Sequence, residues 1–270
     1  MKIDLFGGTG FIGSNYKKLY SDDTHIHDRE DNFPIYNNVL YMISTTHNYN
    51  HPQLDVDTNL TKLIKVLENC NSNTIFTYIS SWFVYGDVPL PAKEEYIGNP
   101  KGYYSITKQA AERIVETYCK VNNIKYRILR LCNVYGTNDN RVSKQKNALQ
   151  YLIDEIKNNK DINLYYDGNF IRDYMYVTDV CRAINTCINK SDTNQIINIG
   201  SGIPQVFGEA IRFSILEANS TSKIQSVDAT EFHKIVQVKN MYLDITKLKN
   251  LGFKPEVDIY EGIKQLIHTI

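Results

Sequence analysis

The sequence predicts an α/β fold, a doubly wound parallel sheet followed by a smaller C-terminal α/β lobe. Three observations predict it: short apolar runs alternate with helically spaced stretches, the first run ends in a glycine-rich turn that opens a helix, and the alternation loosens after Gly136. Strands of a parallel sheet are covered on both faces, so they read as continuous apolar runs rather than as alternating ones.

Residues 2–6 form the first such run, and Phe11, Ile12, Tyr16 and Leu19 then recur at helical spacing. Further strands are expected at 25–27, 39–44, 74–80, 126–131 and 196–199, with helices over 59–69 and 104–120. Beyond Gly136 the pattern gives a helix over 148–157, short strands near 162–166, and mixed segments. The asparagine and lysine residues of 147–160 read as a solvated helix face. The division expected is 1–135 as a nucleotide-binding domain and 136–270 as a substrate lobe, with 172–200 returning to the first domain.

The 270 residues are 42% hydrophobic, enough for one large domain or a domain with a smaller lobe. Thirty basic residues balance thirty acidic ones with no long run of one sign, which argues against a nucleic-acid groove or an anionic membrane surface and favours a small-molecule partner. Cys70, Cys119, Cys132, Cys181 and Cys187 are odd in number and lack Cys-x-x-Cys spacing, so neither a disulfide framework nor a zinc site is expected, and no metal is. The start of the chain lacks a signal layout and no apolar run approaches membrane-spanning length, which predicts a cytoplasmic protein.

The loop Gly7-Gly8-Thr9-Gly10-Phe11-Ile12-Gly13 places glycines at i, i+3 and i+6 directly after a strand and at the start of a helix. Glycine there allows a tight turn, close backbone approach and helix-on-strand packing, while free N–H groups and the helix dipole face a phosphate. This is the fingerprint of a Rossmann dinucleotide site. Asp28 closes the second candidate strand, where an acidic residue accepts hydrogen bonds from the adenosine ribose, favouring NAD. Arg29 follows and could instead meet a 2′-phosphate, which leaves NADP as the alternative.

Tyr104-Ser105-Ile106-Thr107-Lys108 sets a phenol and an ammonium four residues apart on one helix face. A free phenol titrates near about 10, so a fixed positive charge is needed to make it useful near neutrality. Some twenty residues earlier, Ile79-Ser80-Ser81-Trp82-Phe83-Val84-Tyr85-Gly86 reads as a strand ending in hydroxyls, and open α/β sheets put their chemistry at the carboxyl ends of strands. Ser81, Tyr104 and Lys108 thus form a candidate proton-handling triad.

Together with Leu129-Arg130-Leu131-Cys132-Asn133-Val134-Tyr135-Gly136, Arg172-Asp173-Tyr174-Met175-Tyr176-Val177-Thr178-Asp179-Val180 and the tail from Asp244 to Pro255, these motifs resemble the extended short-chain dehydrogenase/reductases that act on nucleotide sugars. The resemblance covers nearly the whole chain. It implies Tyr104 as general base or acid, Lys108 as holder of the nicotinamide ribose that lowers the tyrosine pKa, and Ser81 as the group orienting the sugar hydroxyl. It also implies Asn59 near the nicotinamide, Asn133 near the substrate diphosphate, Arg172 on a diphosphate oxygen, and a homodimer built from the helices at 59–69 and 104–120. The plainer readings are a helix N-cap for Asn59, a turn residue for Asn133 and a surface ion pair with Asp173 for Arg172.

Members that dehydrate the sugar carry an acidic pair just after the strand hydroxyl; here those positions are Trp82 and Phe83, which cannot transfer a proton. The expectation is therefore an NAD-dependent 4-epimerase of a nucleotide-diphosphate sugar, with an NADPH-dependent 4-keto sugar reductase as the second reading and a cofactor-binding regulator without turnover as a third. Only some ten residues separate Asp28 from the strand at Val39, so the sheet is expected to be trimmed between its second and fourth strands and the adenine side to be more open.

Overall fold

The computed structural model describes residues 1–28, 30–45, 51–139 and 147–268. Arg29 and Thr46 lie outside them. In chain order the N-terminal elements are β1 (Ile3–Phe6), α1 (Phe11–Leu19), β2 (Thr24–His27), β3 (Asn38–Tyr41), α2 (Pro52–Val56), a π-helical turn (Asp57–Thr61), α3 (Lys62–Leu67), β4 (Ile75–Ser81), α4 (Tyr103–Val121) and β5 (Lys125–Leu131). Then come β6 (Asn133–Tyr135), α5 (Ala148–Lys157), β7 (Ile162–Tyr165), β8 (Ile171–Arg172), β9 (Tyr174–Tyr176), α6 (Val177–Lys190), β10 (Gln195–Ile199), β11 (Gln205–Val206), α7 (Phe207–Glu217), β12 (Ile224–Val227), α8 (Glu231–Val236), α9 (Thr246–Asn250) and α10 (Ile259–His268).

Six strands form one parallel sheet in the order β10-β5-β4-β3-β1-β2. Strand residues alternate between two apolar layers. Leu5, Leu40, Ile79, Leu129 and Ile197 face one layer, while Phe6, Val39, Tyr41, Phe76, Tyr78 and Ile128 face the other, against Leu63, Val66, Ala111 and Val115 of α3 and α4. Both faces are thus covered, the condition under which a parallel sheet is stable. All strands point the same way, so their carboxyl ends gather along one edge. Three two-stranded pairs, β6-β9, β8-β11 and β7-β12, lie outside the main sheet.

The sheet is trimmed as expected: among the described residues no strand lies between β2 and β3 in sequence. A polar clamp fastens the short connection instead. Both ring nitrogens of the buried His27 meet carboxylates, Asp4 Oδ1 at 2.7 Å and Asp31 Oδ2 at 2.6 Å, and Asp4 Oδ2 accepts the backbone N–H of Tyr36. The imidazole also stacks on Phe6 with ring centroids 4.1 Å apart.

Two expectations need correction. The helix expected over 59–69 begins at Pro52, because proline is suited to the first helical turn, and the chain passes through a π-turn at 57–61. Asn59 therefore sits inside a helical run rather than capping one. The strand expected over 39–44 ends at Tyr41, since Met42 to Thr45 leave the ladder at the sheet edge. No helix among the described residues is long and apolar enough to cross a membrane, and all five cysteines are free thiols.

Candidate active site

Gly7 follows β1 at φ +95°, a conformation open to glycine, and its carbonyl accepts the N–H of Gly10 at 3.1 Å. A side chain at Gly13 would collide with that same carbonyl, so the third glycine is what lets α1 pack against the loop. Helix α1 then starts at Phe11 with no side-chain cap and no acidic residue in its first turn. The N–H groups of its first turn and its positive end face the loop, which suits an anion, so the loop fits a dinucleotide pyrophosphate.

Ser81 is the last residue of β4, and its hydroxyl accepts the N–H of Phe83 at 3.3 Å as the chain turns. Helix α4 begins just after Gly102 and brings Tyr104 and Lys108 to the same edge. Lys108 is 1% exposed. Its ammonium donates to the Ile79 carbonyl at 2.6 Å and lies 4.3 Å from the centroid of the Tyr78 ring. The nearest carboxylate, Glu112, is engaged by Arg130, which grips it through Nε at 3.0 Å and Nη2 at 2.7 Å, and by the Ser80 hydroxyl at 2.5 Å. Burial without a dedicated counter-ion pulls the Lys108 pKa down to about 7.

The Tyr104 phenol is pushed the other way. Burial raises its pKa, the hydroxyls of Ser44 and Ser81 lower it, and the charge of Asp55 raises it again. The net direction is upward, opposite to the lowering expected from Lys108, because that ammonium is drawn toward Ile79 and Tyr78. Behind the phenol, Asn59 ties three segments together. Its Oδ1 accepts from the Ser44 hydroxyl at 3.1 Å and the Thr45 N–H at 3.2 Å, and its Nδ2 donates to Thr45 Oγ1 at 3.3 Å and Thr107 Oγ1 at 3.0 Å. The π-turn supplies the offset that aims this side chain across the gap between β3 and α4.

On the far side, Trp82 and Phe83 stack with centroids 3.8 Å apart, and Phe83 meets the Tyr104 ring edge-on at 6.0 Å. The Asn133 amide donates to the Asp173 carbonyl at 3.1 Å. Arg172 does not pair with Asp173, whose carboxylate is taken by the N–H groups of Ser201, Gly202 and Leu243 and the Ser201 hydroxyl. The Arg172 guanidinium instead donates to the carbonyls of Ile171, Lys239 and Val238 at 2.7–2.9 Å and lies over the Trp82 and Phe170 rings.

One cavity of about 1250 Å³ joins these groups. Its walls include Gly7, Thr9, Gly10, Phe11, Ile12 and Gly13 at one end, Ser81, Tyr104 and Lys108 in the middle, and Asn133 and Arg172 at the other. Two expected residues lie off its walls: Asn59 stands behind them, and Asp28 is exposed at the end of β2. Sequence reasoning missed Asp55 and Thr107 as parts of the site. The available signal was the four-residue spacing of Asp55 and Asn59, which puts two polar groups on a helix face that is otherwise buried.

Residues 35–200 match the NAD dependent epimerase/dehydratase family. The chain is 30% identical over 230 residues to a putative UDP-glucose 4-epimerase of Methanocaldococcus jannaschii, covering 84% of this chain and 73% of that protein. It superposes on the UDP-glucose 4-epimerase of Thermotoga maritima, solved with UDP-glucose, with a TM-score of 0.86 at 23% identity, covering 99% of this chain and 97% of that one. It also superposes on the UDP-glucuronic acid 4-epimerase of Bacillus cereus, solved with NAD and a UDP-linked 4-deoxy-4-fluoro sugar acid, with a TM-score of 0.88 at 21% identity, covering 99% and 98%. These likenesses establish the Rossmann-type fold.

Proposed function

The chain belongs to the NAD dependent epimerase/dehydratase family, and from that premise we propose that it is a nucleotide-sugar 4-epimerase working through NAD, with NADP as the alternative cofactor. The observation that carries the reading is the juxtaposition of Ser81, Tyr104 and Lys108 in one cavity whose neighbouring positions, 82 and 83, are aromatic. Chemistry that needs only a proton at one hydroxyl and a hydride fits such a site; elimination of water, which needs a second acid, does not.

The Gly7–Gly13 loop would hold the cofactor pyrophosphate, and the cofactor, when bound, would supply a reversible hydride acceptor. Ser81 would hold the sugar 4-hydroxyl by hydrogen bonding, and Tyr104 would remove its proton as hydride leaves C4, then give the proton back to the oxygen as hydride returns to the other face of C4 in the turned keto sugar. Lys108 holds the nicotinamide ribose. With the cofactor held there, its ammonium would supply positive charge near the reacting centre, which would favour the phenolate. Arg172 and Asn133 hold the substrate diphosphate, Arg172 being preset by three backbone carbonyls and two aromatic faces. Asn59 orients the Ser44 side of the site, and Asp28 serves the adenosine ribose, with Arg29, outside the described residues, as the group for a 2′-phosphate in the NADP alternative. We assign 1–135 to cofactor binding and 136–270 to substrate binding, with 172–200 returning to the first domain, and we assign a homodimer formed through the helices at 59–69 and 104–120.

The test is mass spectrometry of the purified protein for retained cofactor, followed by incubation with UDP-hexoses and separation of C4 epimers. Retained NAD and epimer exchange, lost in Tyr104→Phe by about 100-fold or more, are expected. Protein that emerges empty, prefers NADPH and reduces 4-keto sugars without interconverting C4 epimers would make it a reductase.

A further inference from the structure

The parallel register sets Asp4 of β1 beside His25 of β2, and the alternation of a strand puts His27 on the same face. The side chains of Asp4 and His27 are fully buried, whereas His25 reaches solvent at the outer strand of the sheet. The two imidazoles stand edge to face with centroids 4.8 Å apart. One carboxylate oxygen and two ring nitrogens thus offer three donor atoms, all within 4.8 Å of one another.

The hydrogen bonds around this trio call for a cation at its centre. Asp31 Oδ2 accepts from His27 Nδ1 at 2.6 Å, and the Phe33 N–H together with His27 holds the Asp31 carboxyl below the usual range, so it acts as an acceptor. Nδ1 therefore carries the ring hydrogen, and Nε2 of the neutral ring presents its lone pair. That lone pair faces Asp4 Oδ1 at 2.7 Å, which is also an acceptor. Two buried acceptors this close repel unless a positive charge, a proton or a metal ion, lies between them. The other Asp4 oxygen is fixed by the backbone N–H of Tyr36. A carboxylate behind the imidazole and an amide behind the carboxylate are the outer contacts that orient ligands in metal sites.

We propose that Asp4, His25 and His27 bind a divalent ion of the zinc class, with Asp31 as the positioning residue for His27 and water in the fourth place. Two imidazoles and one carboxylate are a donor set suited to Zn²⁺. Tetrahedral bonds of about 2.0–2.2 Å hold ligand atoms about 3.3 Å apart, so His27 Nε2 and Asp4 Oδ1 part by roughly half an ångström and the solvent-facing His25 ring swings in. The ion ties β1, β2 and, through Asp31 and Tyr36, the short connection to β3 at the place where the sheet is trimmed. His27 immediately precedes Asp28, so the ion also fixes the point at which the chain leaves β2. The expectation that no metal binds rests on the spacing of the cysteines and does not bear on these histidines. The proposal is independent of the chemistry assigned to Ser81, Tyr104 and Lys108.

The experiment strips the full chain with a chelator, removes the chelator, and titrates Zn²⁺ into it in competition with a chromophoric chelator, with thermal unfolding followed in parallel. Binding of one ion per chain is expected, with a Tm that rises with zinc concentration. His25→Ala, at a solvent-facing strand position, removes a ligand and is expected to weaken binding about 100-fold while the circular dichroism is retained. Asp31→Asn leaves all three ligands in place and is expected to weaken it about 10-fold or more, as loss of an outer contact does. Co²⁺ in place of Zn²⁺ should give the visible absorption of a tetrahedral site in the parent and lose it in His25→Ala. A folded parent that takes up no stoichiometric zinc overturns the proposal and leaves a proton alone between His27 and Asp4. Zinc uptake that both variants leave unchanged places the ion elsewhere and overturns it equally.

Discussion

Replacing Lys108 with methionine is expected to stabilise the cofactor-free protein at low pH while abolishing turnover. The ammonium is 1% exposed, and burial has drawn its pKa from 10.5 to about 7. A tenfold change in proton affinity corresponds to about 1.4 kcal/mol, so keeping this group buried and charged below pH 7 costs roughly 5 kcal/mol relative to the unfolded chain. The folded pKa is depressed, so between pH 7 and 10.5 the unfolded chain binds the extra proton. Stability therefore rises with pH through that window, and the penalty is gone above 10.5. Against this stand the bond to the Ile79 carbonyl and the contact with Tyr78, together worth about 2–3 kcal/mol, which methionine also forfeits. The difference is a gain of about 2 kcal/mol at pH 6 and a small loss, about 1 kcal/mol, at pH 9.5, since methionine fills a similar volume. Urea unfolding of both proteins at the two pH values measures it. A variant less stable than the parent at pH 6, or a difference that does not change with pH, would refute the reasoning.

Two further perturbations probe the cradle and the support beneath the site. Gly13→Ala forces a methyl group against the Gly7 carbonyl and the Gly8 Cα, and dinucleotide affinity should fall about 10-fold or more, read by fluorescence titration, with the circular dichroism of the sheet retained. Arg130→Met strands the buried Glu112 carboxylate and should destabilise by about 3–5 kcal/mol in denaturant unfolding, whereas adding Glu112→Leu should restore most of the loss.

Much of the fold was legible because its signals are local. The run Ile3 to Phe6, the glycines at 7, 10 and 13, the periodicity of α1 and α5, and the spacing of Tyr104 and Lys108 each act within a few residues, where chain geometry alone decides the outcome. The shortened stretch after Asp28 likewise limits what can fit there. Less legible was the start of α2, since Pro52 opens a helix only if the π-turn at 57–61 lets the same run face both β3 and α4. The clamp of His27 between Asp4 and Asp31 was not legible either, because strand sequences do not announce which polar side chains will find partners across a gap.

The sequence by itself determined the Rossmann-type sheet, the phosphate cradle and the presence of a serine, a tyrosine and a lysine able to share one site, because backbone sterics and helical spacing fix these things within short segments. Only the tertiary structure decided the electrical state of that site. Lys108 is buried with its ammonium on a backbone carbonyl, Glu112 is held by Arg130, and Asp55 stands buried with one oxygen unpartnered among the described residues. Charge energies depend on burial and on partners 29 or 48 residues away in the chain, as Lys108 to Ile79 and Asn59 to Thr107 illustrate. Those separations are closed only when β3, β4 and α4 have packed together.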